Sequence, residues 1–148
     1  MKTILLLSMI FAAVLILSCA AVGYEDVSLI PQRSGIKPLI CNTNGEPLNN
    51  AAVFVVELNK FFYTDETGVT SDIIINVRES YGTVTLLVYR TGYTDCAVYN
   101  TVVPAERIRN GPRIRMFEDD GTMPPATVYS ENPPDKITYE LLKKHRPF

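Results

Sequence analysis

Tryptophan is absent from this chain, histidine occurs once and cysteine three times among 148 residues. Each shortage counts against a chemistry. His145 is the only imidazole and lies three residues from the C-terminus, so a Ser-His-Asp set has no well-placed base; His145 reads as a cation at a helix end. No cysteine stands in a C-x-x-C pair or beside a histidine, which argues against thiol redox and Cys/His metal sites. The lack of tryptophan weakens a sugar-stacking role for Phe61, Phe62, Tyr63, Tyr89, Tyr93 and Tyr99, which read first as core or cross-strand aromatics. A basic excess is missing too: 14 Lys+Arg against 16 Asp+Glu leave a net charge of −2, unlike a nucleic-acid binder.

What is present begins with one long apolar run. Lys2 precedes a hydrophobic stretch from Ile4 to Val22, broken only by Ser8 and Ser18, the pattern of an export signal, because nothing downstream offers so apolar a helix a partner. Ile16-Leu17-Ser18-Cys19-Ala20 resembles the lipobox of bacterial lipoproteins, which would make Cys19 the lipidated N-terminus. Ser18-Cys19-Ala20 also fits a signal-peptidase site and free secretion. The segment from Thr3 to Val22, about 20 residues, is also long enough to span a bilayer uncleaved, with Lys2 inside and Glu25 and Asp26 outside. All three readings place residues 23 onward outside the cytoplasm.

The rest divides by composition. Residues 23–35 read as a polar tether, and residues 36–117 as an all-β domain. Short β-branched runs at 38–42, 51–58, 61–64, 71–78, 83–90 and 96–103 alternate with turns, notably Asn44-Gly45, Asp65-Glu66-Thr67-Gly68 and Gly92-Tyr93. In the run from Thr83 to Arg90, Val84, Leu86 and Val88 share one face, predicted to lie in a core. Residues 107–115 are nearly mirror-symmetric about Asn110-Gly111. They predict a hairpin leading to a seventh, edge strand at 114–117, with Pro112 removing one ladder donor. The expected fold is a seven-stranded, Greek-key-like, immunoglobulin-like β-sandwich, followed by a short C-terminal helix. Residues 118–134, acidic and then proline-rich, read as an extended linker. Residues 135–148 carry that amphipathic helix, with Ile137, Leu141 and Lys144 on one face and Thr138 and Leu142 beside it.

Three clusters carry candidate chemistry. Arg107, Arg109, Arg113 and Arg115 fall within nine residues, and hairpin alternation would put all four on one face. Such a face would hold phosphate or carboxylate groups bidentately; alternatively it is an edge strand charged against aggregation. Glu118, Asp119 and Asp120 before Gly121 offer oxygen ligands to calcium or form a solvated acidic loop; EF-hand spacing is missing. Cys41 and Cys96, an even pair if Cys19 is lipidated, are either a disulfide in an oxidising compartment or two buried thiols.

The order of the turns resembles the carboxypeptidase regulatory-like domain, a transthyretin-like (prealbumin-like) sandwich. Asn44-Gly45-Glu46-Pro47-Leu48 followed by Ala51-Ala52-Val53 is similar to that family's first hairpin, Thr64-Asp65-Glu66-Thr67-Gly68 to its Thr-Asp-x-x-Gly turn, and Gly92-Tyr93 to its late Gly-Tyr. The resemblance covers roughly residues 36–103 and implies the fold better than the role. Enzymes of the same sandwich class need several histidines, or paired Tyr and His iron ligands, and this chain lacks them. The expectation is a noncatalytic, membrane-tethered binding or scaffolding module without a cofactor, engaging an envelope protein or an anionic envelope polymer. The alternative is a secreted lipoprotein that binds a small ligand or calcium through Glu118, Asp119 and Asp120.

Overall fold

A computed structural model of the chain describes residues 33–77, 81–122, 126–129 and 136–148. The segment read as an export signal, with Cys19, and nearly all of the segment read as a tether lie outside the described residues. Among these residues eight strands form two sheets. β1 (Gly35–Cys41), β4 (Ile73–Ile74) and β7 (Ile108–Arg115) make the smaller, in the order β4-β1-β7. β2 (Ala52–Val55), β3 (Lys60–Tyr63), β5 (Tyr81–Tyr89), β6 (Asp95–Pro104) and β8 (Ala126–Tyr129) make the larger, in the order β3-β2-β5-β6-β8. β1 pairs with β7, and β6 with β8, in parallel; the other pairs are antiparallel. The expected all-β sandwich is therefore observed. Its division differs from the immunoglobulin constant type, where the first two strands share a sheet; here β1 and β2 lie in opposite sheets.

The sheets face one another across a core built from Ile36, Ile40 and Ile114 on one side and Val53, Val55, Leu86, Val88, Cys96 and Val98 on the other. Val84, Leu86 and Val88 thus point inward as their alternation predicts. The opposite face of the large sheet is buried as well. Ala52, Phe54, Leu87, Tyr89 and Ala97 lie under Leu142 of the C-terminal helix α1 (Lys136–Lys144). Burial on both faces explains why β2 reads as a continuous apolar run instead of an alternating one. That run stops at Val55, not Leu58: Val56–Leu58 form one 3-10 turn closed by Asn59 in the left-handed region. There the Glu57 carboxylate accepts the Thr85 N–H at 2.9 Å.

The turns carry the local chemistry read from the sequence. Asp65 Oδ1 accepts the Thr67 N–H at 2.9 Å, the Thr67 hydroxyl at 2.6 Å and the Val69 N–H at 3.2 Å. Those bonds, the Thr67 hydroxyl first and the Val69 amide next, lower the Asp65 pKa. Gly68 follows at φ +74, and its carbonyl accepts the Ile40 N–H; a Cβ there would stand 2.5 Å from the Ile40 carbonyl oxygen. The segment after β1, expected as a first hairpin, is a tight turn that carries the chain from one sheet to the other. Only Cys41 and Pro47 bridge across it. In the loop, the Asn42 side-chain amide donates to the Glu46 carboxylate at 2.8 Å and accepts the Glu46 backbone N–H at 2.9 Å.

Three further expectations are corrected. The fourth strand, expected over 71–78, is two residues long among the described residues. The proline-rich segment contains a strand, β8, because Ala126-Thr127-Val128-Tyr129 is a proline-free stretch whose amides are free to pair with β6. The helix docks through Thr138 and Leu142, whereas Ile137, placed on the leading apolar face, is 72% exposed. Side-chain hydrogen bonds decide that rotation: the Tyr89 hydroxyl donates to the Leu142 carbonyl at 2.9 Å, and the Tyr99 and Thr138 hydroxyls are 2.8 Å apart.

Candidate partner-binding edge

The predicted hairpin at Asn110-Gly111 does not form. β7 runs unbroken from Ile108 to Arg115 beside β1, and Asn110-Gly111-Pro112 lies inside it. Opposite Pro38, however, β7 has one extra residue: Lys37 pairs with Asn110 and Leu39 with Arg113, so Gly111 and Pro112 share a single partner. This bulge explains the glycine. A Cβ on residue 111 would sit 2.8 Å from the Pro38 nitrogen. It also breaks the expected alternation. Residues in register on neighbouring strands point to the same side. Arg109 therefore shares a side with core-facing Ile36, and Arg113 and Arg115 share the opposite side with Leu39 and Cys41. The four arginines do not form one face; they flank the strand on both sides.

All four are solvent-exposed. Among the described residues Arg107, Arg109 and Arg113 make no ion pair, whereas Lys37 on the adjacent strand is paired to Asp72 at 2.9 Å. No Asp or Glu occurs between Arg107 and Arg115. β7 is also the margin of its sheet among the described residues. The Gly35 N–H donates to the Arg107 carbonyl at 3.0 Å and the Met116 N–H to the Cys41 carbonyl at 2.9 Å. In a parallel ladder, main-chain groups alternate between the two neighbours. Those of Ile108, Asn110 and Arg113 are accordingly directed away from β1, toward the open side.

Beneath that edge lies a groove of about 490 Å³ lined by Ile36, Val102, Pro104, Ile108, Arg109 and Asn110. Val102, at one border of the groove, is 58% exposed, a feature that the β-branched run of residues 96–103 does not reveal. The cause is a second irregularity. Val84 pairs with Thr101 and Leu86 with Val98, so Tyr99 and Asn100 together oppose Thr85. Asn100 takes φ +55. The slip keeps Val98, Thr101 and Val103 buried and leaves Val102 facing solvent.

The other candidate residues are engaged differently. Asp119 Oδ1 accepts the Gly121 N–H, and Asp120 Oδ1 accepts the Thr122 N–H and hydroxyl. Both carboxylates shape their own loop, and no group of metal-ligating side chains gathers around Glu118, Asp119 and Asp120 among the described residues. Cys41 and Cys96 are buried, free thiols rather than a disulfide. Cys96 lies in the core between the sheets, while Cys41 points to the other side of β1, its thiol 3.7 Å from the Ile114 carbonyl. Burial, helped by the neighbouring Asp95 charge, pushes the Cys96 thiol up to about 12, which favours its protonated form at neutral pH. His145 stacks on Phe54 with ring centroids 4.2 Å apart, beyond the end of α1.

One pair went unnoticed in the sequence. Arg146 binds Asp95 at 3.2 Å, beside a cleft of about 310 Å³ that Tyr139 and Leu142 help to line. Burial raises the Asp95 pKa, and the Arg146 guanidinium opposes that rise. Fifty-one positions separate the partners, so no local pattern links them. Among the described residues no helix is long and apolar enough to cross a membrane. No family model matches this chain, and no curated protein matches it.

Proposed function

We propose that the chain is a noncatalytic, extracytoplasmic binding or scaffolding module of the carboxypeptidase regulatory-like, transthyretin-like type. On this reading β1 to β7 are the seven strands of that sandwich, β8 is an addition at the margin of the larger sheet, and the N-terminal segment tethers the module to the membrane. One observation carries the binding role: an edge strand with exposed Arg107, Arg109 and Arg113, none in an ion pair among the described residues, runs beside a groove. A surface of that chemistry suits an anionic partner of the envelope.

Two experiments test the two halves of the reading. With the full chain in nonionic detergent, fluorescence anisotropy should detect salt-sensitive binding of labelled poly-L-glutamate. The triple variant Arg107→Ala, Arg109→Ala, Arg113→Ala should lose about tenfold or more in affinity, each lost charge-assisted contact being worth about 1 kcal/mol or more. Equal affinity in the variant would sink the arginine edge as the binding surface. For the tether, intact mass of membrane-fraction protein should show a chain starting at a diacylglyceryl-modified Cys19, absent in Cys19→Ala. An unmodified full-length mass makes the leader an uncleaved anchor; a soluble chain cut near Ala20 removes the tether from the proposal.

A further inference from the structure

Resting on the arginine edge as a binding surface, we infer that β7 takes its partner as an added β-strand. The occupant is an extended peptide segment of another protein that alternates acidic and apolar residues. Three features specify it. First, the main-chain groups of Ile108, Asn110 and Arg113 point away from β1, and β7 has no strand on that side among the described residues. An open row of N–H and C=O groups recognises another peptide backbone, which an anionic polymer without amides does not offer.

Second, the flanking charge selects the side chains. The bulge opposite Pro38 splits the arginines between the two sides of the strand, Arg109 on one and Arg113 on the other. A peptide lying along β7 therefore meets a cation whichever side its acidic residue occupies. Third, a groove lined in part by Ile36 and Arg109 opens on the core side of the strand. A side chain of the added strand, directed to that side, would enter the groove beside Arg109. The same charges disfavour a second copy of this chain as the occupant, because pairing β7 with itself sets arginine against arginine.

The strand is eight residues long, so an eight-residue peptide matches it. The full chain in nonionic detergent is titrated with a labelled peptide of alternating Glu and Val. Two versions of that peptide follow, N-methylated on one or the other alternate set of amides, and then inorganic polyphosphate as an amide-free polyanion. Strand addition predicts that methylating one set weakens binding about tenfold or more while methylating the other changes it less than about threefold. The amides of Ile108 and Asn110 should gain hydrogen-exchange protection in the complex. If both methylated peptides bind like the parent, or polyphosphate binds as tightly as the peptide, the edge is purely electrostatic: strand addition is overturned and the anion-binding reading survives. If the parent peptide binds equally well to the wild type and to the triple arginine variant, both readings fall.

Discussion

Arg146 and Arg113 belong to the same sandwich but stand in opposite circumstances. Arg146 follows the helix that covers the large sheet and meets a mostly buried carboxylate, Asp95, at 3.2 Å. Its neighbours Leu142, Tyr89 and Tyr99 tie the helix to the sheet by apolar contact and by hydroxyl hydrogen bonds. Arg113 stands on a sheet margin with no ion-pair partner among the described residues and with its strand's main chain directed outward. The difference is between a surface already closed by the chain itself and one left open. A guanidinium tied to a carboxylate contributes to holding the fold, whereas exposed cations without an ion pair add little to stability.

The comparison is broken most severely at the helix. Leu142 is 2% exposed and packs on Phe54, Leu87 and Tyr89, so Leu142→Ala should cost about 2–4 kcal/mol in urea denaturation. Poly-glutamate affinity should stay within about twofold, since β7 lies in the other sheet. A cost near zero would mean that the helix does not hold the covered face, and a parallel loss of binding would mean that the two regions are not independent.

A smaller effect sharpens the contrast through pH. Arg146 is half exposed, so solvent screening limits the loss in Arg146→Ala to about 1 kcal/mol at neutral pH. Burial raises the Asp95 pKa, which means that the folded state holds the Asp95 proton more firmly than the unfolded chain does. Stability from that proton is complete below the ordinary value of 3.8 and is lost as pH rises through the folded pKa. Arg146 offsets this loss only where Asp95 is ionised. The difference between wild type and Arg146→Ala should therefore vanish below about pH 3.8 and open as pH rises, as read by denaturation midpoints across pH. A difference that is constant with pH would show that Arg146 acts by packing alone.

How far local sequence reaches is seen in one dipeptide that occurs twice. Asn44-Gly45 is a turn, as read, with Gly45 at φ +86 and open space where a Cβ would stand. Asn110-Gly111 has the same letters and lies inside a strand, because β1 supplies a ladder for it and Pro38 presses against it. Asp65 illustrates the legible case: its bonds reach only two and four residues ahead, so the turn is encoded where it forms. Asp95 illustrates the illegible one, since its partner lies fifty-one positions away.

By itself, then, the sequence determined the β class, the core face of β5, the turns at Gly45, Gly68 and Gly92, and the C-terminal helix. Each depends on side-chain period or on backbone freedom within a few residues. Only the tertiary structure decided that residues 107–115 form one bulged edge strand, that Val102 is exposed, that the helix docks on Leu142, and that Cys41 and Cys96 stay apart. Those outcomes depend on register between distant strands, and an extra residue in a ladder reverses every side chain beyond it without changing any local preference.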